Sequence, residues 1–463
     1  LYNIFIQLDV IDLIRLQQVS ASLNSILQDR IVWSDAFRIS SLPRSKGPFP
    51  WQSASYLKSA LITQAKIKRN WPPRPEILAK IEKIDITFGE NQWIVQFELM
   101  LGRWLIIVLY SEGLKVCCYD MDSQLSGQHQ HVIYEAPDGA TVSHLACADV
   151  ATVDGQCAFV AFVHHDMLDG ADDSEGEGTL KIYKLTLSAR SDTTFDLVLD
   201  MPFVPRSVHL QITAQALLIV SRVSARDYYE KTWIMDIHTY RVYKIPPPEA
   251  SPELDRVLGL PVRIFIGTTH VFVVHTPMHG WRDYYNCFAE AYPVQQLFRG
   301  ELTRPSHRSP IPHGIQAPRR WSIHDLPDGR SSITLMAGAG SHVFLVRLTL
   351  ASSPPLSAQT AQIHFDSSFL EGLSTGDRKN FCDSIGGDDQ DRRVLCHSID
   401  RHLRGHRYCV DETKAHFCAT PGPQGSIPVN SSRIRYDEVG GCIGLQESIN
   451  TLNILKFGSC SSR

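Results

Sequence analysis

The sequence predicts a multidomain α+β protein, in which a short all-α segment precedes an all-β, propeller-like domain of six or seven irregular blades. Three observations predict this fold class. The chain has 463 residues, more than one hydrophobic core normally supports. Apolar residues recur at helical spacing up to about residue 80. From about residue 84 onward they alternate with polar residues instead. We expect helices over residues 1–40, a helical, proline-containing linker over 41–84 and the β domain over 85–463.

Composition narrows the class of protein. Hydrophobic residues make up 43% and charged residues 20%, as in a folded globular chain. The net charge of -4 provides no overall positive field for nucleic acid or an anionic membrane, so neither is expected as a partner. Eleven cysteines, two of them adjacent at Cys117 and Cys118, favour reduced thiols and therefore the cytoplasm or nucleus. No apolar run reaches the length of a membrane span.

The N-terminal segment carries the signals of three short helices. Asp9 is placed to cap the first helix, and Asp12 then occupies the acidic position of a capping box. The second helix is expected to begin after Ser20 or Ser22, and the third after Asp29. Three such helices in under 40 residues leave much apolar surface uncovered, so an external partner is implied.

This segment also resembles a known family. Residues 8–20, Leu-Asp-Val-Ile-Asp-Leu-Ile-Arg-Leu-Gln-Gln-Val-Ser, look like the second and third helices of an F-box, and the match continues through Leu23, Asn24, Asp29 and Trp33. The family's opening Leu-Pro and acidic residue would precede Leu1, where we expect an upstream piece. The following stretch, from Trp33 to Trp71, with Pro48 and Pro50 in it and Pro72 and Pro73 directly after it, resembles the linker of F-box proteins from mushroom-type fungi.

The resemblance implies a function. F-box proteins are substrate receptors of cullin-RING ubiquitin ligases, so it implies a Skp-type adaptor and cullin ligase as partners, a target protein bound by the β domain, and no catalysis or cofactor in this chain. The residues expected at the adaptor surface are Leu8, Leu13, Leu16, Val19 and Trp33. The alternative for the apolar stripe is a plain helical cap packed on the rest of the protein.

Short segments rich in Val, Ile, Tyr, Phe and Trp follow one another beyond residue 84, with turn signals between them. Grouped by four, they begin near residues 93, 142, 207, 262, 319, 393 and 432. This blade-like repeat favours a β-propeller, although two stacked β-sandwich domains would show similar spacing. The region 374–418 fits the repeat least well.

Motifs for chemistry are weak. A Cys/His stretch without a Cys-x-x-Cys pair indicates free thiols rather than zinc, and its members are Cys396, His397, His402, His406, Cys409, His416 and Cys418. Six acidic residues between Asp166 and Glu177 indicate a solvated hairpin tip rather than a calcium loop. Two arginine-containing stretches, around residues 304–320 and 392–407, are interpreted as solvated faces. The motifs of serine hydrolases, P-loop proteins, zincins and dinucleotide-binding proteins are absent from the sequence.

A rival function comes from another class. A β-propeller enzyme or carbohydrate-binding protein with a helical N-terminal cap would also fit, since eight Trp and fifteen Tyr can furnish a sugar platform. An enzyme should bring titratable side chains with perturbed pKa values together in a cavity, whereas a receptor should leave an apolar stripe bare on its N-terminal helices. A passive structural interaction protein is a third option.

Overall fold

The fold is mostly β, with few helices and several antiparallel sheets, in a computed structural model that describes most of the chain. The described residues are 2–5, 7–40, 48, 50, 52–70, 82–121, 130–137, 139–152, 155–165, 177–187, 194–205, 208–213, 216–221, 232–245, 262–267, 269–275, 288–301, 305–310, 320–325, 331–339, 342–350, 356–363, 382–387, 391–397, 402–411, 416–420, 426–428, 433–437 and 442–456.

The chain divides into two compact units. Unit 1 contains residues 1–87, 365–410 and 418–463, and unit 2 contains residues 88–364 and 411–417. Unit 1 holds the N-terminal helices, which are α1 (Tyr2–Phe5), α2 (Val10–Gln17), α3 (Ala21–Ile26), α4 (Arg30–Ile39) and α5 (Ala54–Asn70). Searched over the described residues, none of the helices has both the length and the apolar character needed to cross a membrane.

Unit 2 is built from antiparallel sheets of four strands that are consecutive in the chain. The first sheet contains β2 (Trp93–Met100), β3 (Trp104–Tyr110), β4 (Leu114–Asp120) and β5 (Gln130–Glu135), and the second contains β6 (Thr141–Thr152), β7 (Gly155–His165), β8 (Glu177–Leu187) and β9 (Thr194–Pro205). The third contains β10 (Val208–Ile212), β11 (Ala216–Ser221), β12 (Thr232–Asp236) and β13 (Val242–Lys244). The fourth contains β14 (Val262–Ile266), β15 (His270–His275), β16 (Phe288–Pro293) and β17 (His307–Pro310), with α6 (Val294–Arg299) inserted, and the fifth contains β18 (Arg320–Asp325), β19 (Ser331–Ala339), β20 (His342–Leu350) and β21 (Leu356–Ile363).

The strands of the remaining two sheets are mostly in unit 1. One sheet is formed by β22 (Cys382–Gly387), β23 (Asp391–His397), β24 (His402–Asp411), β25 (His416–Thr420) and β26 (Ser426–Pro428). The other combines strands that are distant in the sequence, in the order β1 (Glu82–Thr87), β29 (Thr451–Lys456), β28 (Cys442–Gln446) and β27 (Arg433–Asp437). In this last sheet the first described strand pairs antiparallel with the last described strand, from Glu82 opposite Lys456 to Thr87 opposite Thr451.

Neighbouring sheets of unit 2 pack face to face in chain order. Trp104 and Val116 of the first sheet share a core with Phe162 of the second. The second sheet packs on the third, and the third on the fourth, through continuous layers of Val, Ile and Leu. Side chains such as Phe162 are fully buried, and the removal of this apolar surface from water is the main favourable term in the folding of such layers.

The grouping of strands by four is confirmed for most of the chain. The observed sheets of unit 2 begin at residues 93, 141, 208, 262 and 320, within a residue of the predicted positions. The sequence pattern did not predict the helices α1 and α6 or the strands β1, β17 and β26. The prediction for residues 374–418 was also incomplete, because this region contains four strands.

Candidate functional site: the N-terminal helices

Each of the three short helices begins at the capping residue that the sequence predicts. The Asp9 carboxylate accepts a hydrogen bond from the backbone N–H of Asp12 at 2.8 Å. The Ser20 hydroxyl accepts from the N–H of Leu23 at 3.1 Å, and the Asp29 carboxylate accepts from the N–H of Ile31 at 2.9 Å. These side chains satisfy backbone donors that have no partner within a helix, which fixes where each helix starts.

The capping residue Asp29 also contacts α1. The Tyr2 hydroxyl donates a hydrogen bond to the Asp29 carboxylate at 2.8 Å. The hydrogen bond from the Ile31 backbone, followed by that from Tyr2, lowers the pKa of the Asp29 carboxyl below its usual range. The same contact raises the pKa of Tyr2. Asp29 therefore keeps its charge, which is favourable at the positive end of α4.

The helices α1 to α4 do not form a core by themselves, because α5 completes it. Leu57 and Leu61 of α5 are fully buried among side chains of the shorter helices. The buried members of this helical core are Phe5, Val10, Leu13, Leu27, Val32, Trp33, Phe37, Leu57 and Leu61. The region predicted as a linker therefore contains α5, a 17-residue helix that covers the inner face of the short helices.

A polar network holds α2, α4 and α5 together at the edge of this core. The carbonyl oxygen of Leu27 accepts hydrogen bonds from Trp33 Nε1 at 2.6 Å and Gln17 Nε2 at 3.2 Å. Lys58 Nζ donates to Gln17 Oε1 at 2.6 Å and lies 5.6 Å from the centre of the Trp33 ring. The cation above the indole is a favourable contact, and the indole N–H finds the partner that a buried Trp needs.

The five residues predicted at the adaptor surface are not equivalent. Leu13 is 0% exposed and Trp33 is 1% exposed, so both are core residues covered by this chain, and the expectation that they lie at the surface is corrected. Leu8 and Leu16 are half-buried at the margin of the same core. Val19 is 69% exposed, and of the five it alone presents most of its side chain to solvent.

The exposed apolar residues lie on other positions of the same helices. On α2 and just beyond it, Ile11, Arg15 and Val19 follow at intervals of four residues and form one exposed row. On α4, Ile31 and Ile39 are 56% and 57% exposed, with Asp35 midway between them. Each row has an aliphatic side chain at both ends and a charged residue in the middle. We call these the α2 row and the α4 row.

The charged residue of each row is held by a local ion pair. Arg15 Nη1 lies 3.0 Å from Asp12 Oδ1, and Arg38 Nη1 lies 3.0 Å from Asp35 Oδ1. Exposed pairs of this kind contribute little to stability, about 0.3–0.5 kcal/mol on a helix. Each row therefore presents two exposed aliphatic side chains beside a charge that is already paired.

Among the described residues, a buried polar cluster in the fourth sheet is the feature closest to an enzyme-like site, and no sequence motif predicts it. Glu290 is buried, and its Oε2 atom lies 3.3 Å from His275 Nε2 and accepts from the Tyr292 hydroxyl at 3.1 Å. Arg308 Nε lies 3.9 Å from Glu290 Oε1. Burial, followed by the charge of Glu290, raises the pKa of Tyr292. The carboxylate is thus surrounded by its own partners, which is the arrangement expected of a structural ion cluster.

Metal and thiol chemistry find little support in the described part of the chain. No group of three or more His, Cys, Asp or Glu side chains there could hold a metal ion. The side chains of the predicted Cys/His stretch and most of the acidic hairpin tip lie outside the described residues. Cys117 and Cys118 are free and buried, and burial raises the pKa of the first to about 11 and of the second to about 12.

Comparison with known proteins adds no family. No family model matches the chain, and no curated protein matches it. Solved structures do match, among them Kuenenia stuttgartiensis Hydrazine Synthase, which is 11% identical, covers 80% of this chain and 96% of that chain, and has a TM-score of 0.40. A similarity at this level carries no argument about function. Fold and site together define a class of mostly β protein with a capped N-terminal helical core and exposed aliphatic rows.

Proposed function

We propose that the chain is a non-catalytic substrate receptor of an SCF-type ubiquitin ligase. In this proposal the N-terminal helices bind a Skp-type adaptor, and the β-sheets hold a target protein. The F-box resemblance of residues 8–33 motivates the assignment. The observation that carries it is the pair of exposed rows on α2 and α4, since aliphatic side chains left bare on two helices of one small helical core are typical of a surface that another protein covers.

The adaptor surface follows from these exposures. Ile11, Val19, Ile31 and Ile39 contact the adaptor directly, and Leu8 and Leu16 extend the contact at the margin of the core. Leu13 and Trp33 support the surface from beneath by fixing the packing of the helices. The exposed aliphatics would lose their contact with water on binding, at about 25 cal/mol for each Å² of apolar surface buried.

A β-propeller is the finer fold that we propose for the sheets. Three features support it: the sheets are four-stranded and antiparallel, their strands are consecutive in the chain, and each sheet of unit 2 with a described core packs face to face on the next. The pairing of β1 with β29 is also how a propeller joins its two ends. Such a domain offers loops and sheet edges for binding a target.

The mechanism is one of proximity. The receptor contributes no nucleophile or general base, and the transfer of ubiquitin is catalysed by other subunits of the ligase. Holding the target in a fixed orientation turns an encounter of separate proteins into a step within one complex, and well-oriented reactions of this kind gain large effective molarities. The cytoplasm or the nucleus is the compartment that suits this function.

Co-purification with a Skp-type adaptor tests the proposal. We expect Val19→Asp and Ile31→Asp to abolish it, because each would place a carboxylate in an apolar interface without a partner. Val242→Asp is the matched control, since Val242 is an exposed valine of β13 in unit 2. Circular dichroism should show all three variants folded. Adaptor binding that survives both helix substitutions would reject the assignment.

A further inference from the structure

An exposed aromatic pair stands at one end of the first sheet of unit 2. The rings of Trp93 and Tyr110 are stacked, with their centroids 5.5 Å apart and their planes inclined by 23°. The two residues are direct partners in the antiparallel register of β2 and β3. Trp93 is 50% exposed and Tyr110 is 41% exposed, so the stack presents a wide aromatic surface to solvent.

The turns next to this pair place carboxylates at the same end of the sheet. Glu90 lies in the turn that precedes β2, which is closed by a hydrogen bond from the Gln92 N–H to the Gly89 carbonyl at 2.8 Å. Glu112 lies at the tip of the hairpin that joins β3 to β4, directly after Tyr110 and Ser111. Both glutamates are exposed, and they flank the aromatic pair in the chain.

The described residues of these two turns carry negative charge. Lys115 of β4 is a cation close to Glu112 in the chain, and it is held by Glu135, whose Oε1 atom lies 2.8 Å from Lys115 Nζ. The hydrogen bond that Lys115 donates to Glu135 is the main cause of the raised pKa of Lys115, and the charge of Glu112 adds a smaller effect in the same direction. With Lys115 paired to Glu135, the carboxylates of Glu90 and Glu112 are the remaining charges among the described residues of the two turns next to the aromatic pair.

We propose that Trp93, Tyr110, Glu90 and Glu112 form a binding site for the lysine or arginine side chains of a basic protein segment. This deepens the proposed function, on which it rests, by naming the chemical class of the target. The faces of aromatic rings carry negative potential and attract cations, Trp most strongly. Carboxylates beside the rings reinforce that potential, and a cation is the ligand that gains from both.

A neutral ligand would use only half of the site. A sugar or a proline-rich peptide can stack on Trp93 and Tyr110, but it gains nothing from the net negative charge beside them. An acidic peptide would be repelled. The same electrostatic argument predicts that binding weakens as the salt concentration rises, because exposed charges are screened.

Calorimetric titration of the full chain with penta-lysine tests the site, with penta-glutamate and maltopentaose as comparison ligands. We expect penta-lysine to bind, and Trp93→Ala and Glu112→Gln each to weaken it about two- to fivefold, the range that corresponds to an exposed cation–π or charge contact. Leu197→Ala and Glu447→Gln are matched controls, because they remove an exposed apolar side chain and an exposed carboxylate elsewhere. Both controls should bind as the unmodified chain does.

The outcomes separate this site from the proposed function. No binding of penta-lysine, equal weakening by the control variants, or comparable binding of maltopentaose would each overturn the proposal. Trp93→Ala should still co-purify with the adaptor, since adaptor binding is assigned to the helices. If the unmodified chain binds penta-lysine but never the adaptor, then the ligase assignment fails while the cation site stands.

Discussion

Gln96 and Leu145 join two neighbouring sheets by a pair of hydrogen bonds between a side-chain amide and a backbone. Gln96 Nε2 donates to the Leu145 carbonyl at 3.0 Å, and the Leu145 N–H donates to Gln96 Oε1 at 3.2 Å. Leu145 lies where the register between β6 and β7 shifts, so the strand ladder does not pair it. The side-chain amide of Gln96 thus supplies the hydrogen bonds that a neighbouring strand would otherwise make to the Leu145 backbone.

The same device recurs between the third and fourth sheets. Gln211 Nε2 donates to the Ile264 carbonyl at 3.1 Å, and the Ile266 N–H donates to Gln211 Oε1 at 3.2 Å. In both cases a glutamine on the first strand of one sheet satisfies the outer edge of the first strand of another. Edge strands carry unpaired backbone groups, and here they are covered by a side chain.

Replacing Gln211 by Leu should therefore destabilise unit 2. The substitution leaves a buried N–H and a buried C=O without partners, at a cost of about 1–3 kcal/mol for each unsatisfied group. A lower denaturant midpoint, followed by tryptophan fluorescence, is the expected result. Gln295→Leu on the exposed face of α6 is the control and should stay within about 0.5 kcal/mol of the unmodified chain. Equal midpoints for the two variants would show that the amide bridge contributes nothing.

Leu13 and Val19 should respond in opposite ways to truncation. Leu13→Ala opens a cavity beneath α2 and should cost about 2–5 kcal/mol, whereas Val19→Ala removes surface atoms and should change stability little. Amide hydrogen exchange of α2 and α4 measures this locally. We expect Leu13→Ala to accelerate exchange in both helices and Val19→Ala to leave it unchanged, although the latter should weaken adaptor binding. Unchanged exchange in Leu13→Ala would contradict the helical core described above.

The thiols of Cys117 and Cys118 should resist alkylation in the folded protein. Their raised pKa values, about 11 and about 12, keep them protonated at pH 8, and their burial blocks access. Because the folded pKa values exceed the ordinary thiol pKa of 9.0, these cysteines contribute stability fully below pH 9 and lose it as the pH rises through about 9 to 12. Peptide mapping after iodoacetamide treatment, native and in urea, checks the first point. Alkylation of either thiol in the native sample would refute it.

Local signals were predictable from the sequence, and long-range ones were not. The caps at Asp9, Ser20 and Asp29 depend on hydrogen bonds over two or three residues, so the sequence pattern located Asp9 and Asp29 and narrowed the second cap to Ser20 or Ser22. Most strands of unit 2 follow from alternation, which is also local. By contrast, β1 is a strand because it pairs with β29. This pairing could not be predicted from the residues near β1, because its partner is distant in the chain.

The candidate site shows the same limit. The sequence correctly predicted that Leu13 and Trp33 lie on an apolar stripe, but not that α5 would cover them. The prolines on either side of α5 favoured a linker in this region. In the structure, Leu57 and Leu61 of α5 complete the helical core. The exposed Ile11 and Ile31 lie on the faces of their helices that point away from the core. They can be recognised as candidate contact residues only when the buried faces are known.

The union of β1 with β29 has a consequence for biosynthesis. During translation β1 is synthesised long before β29, so its backbone edge stays unpaired until β29 is made. We expect chaperones to bind the nascent polypeptide during this interval. Proteolytic removal of β29 from the folded protein should leave the backbone edge of β1 unpaired again.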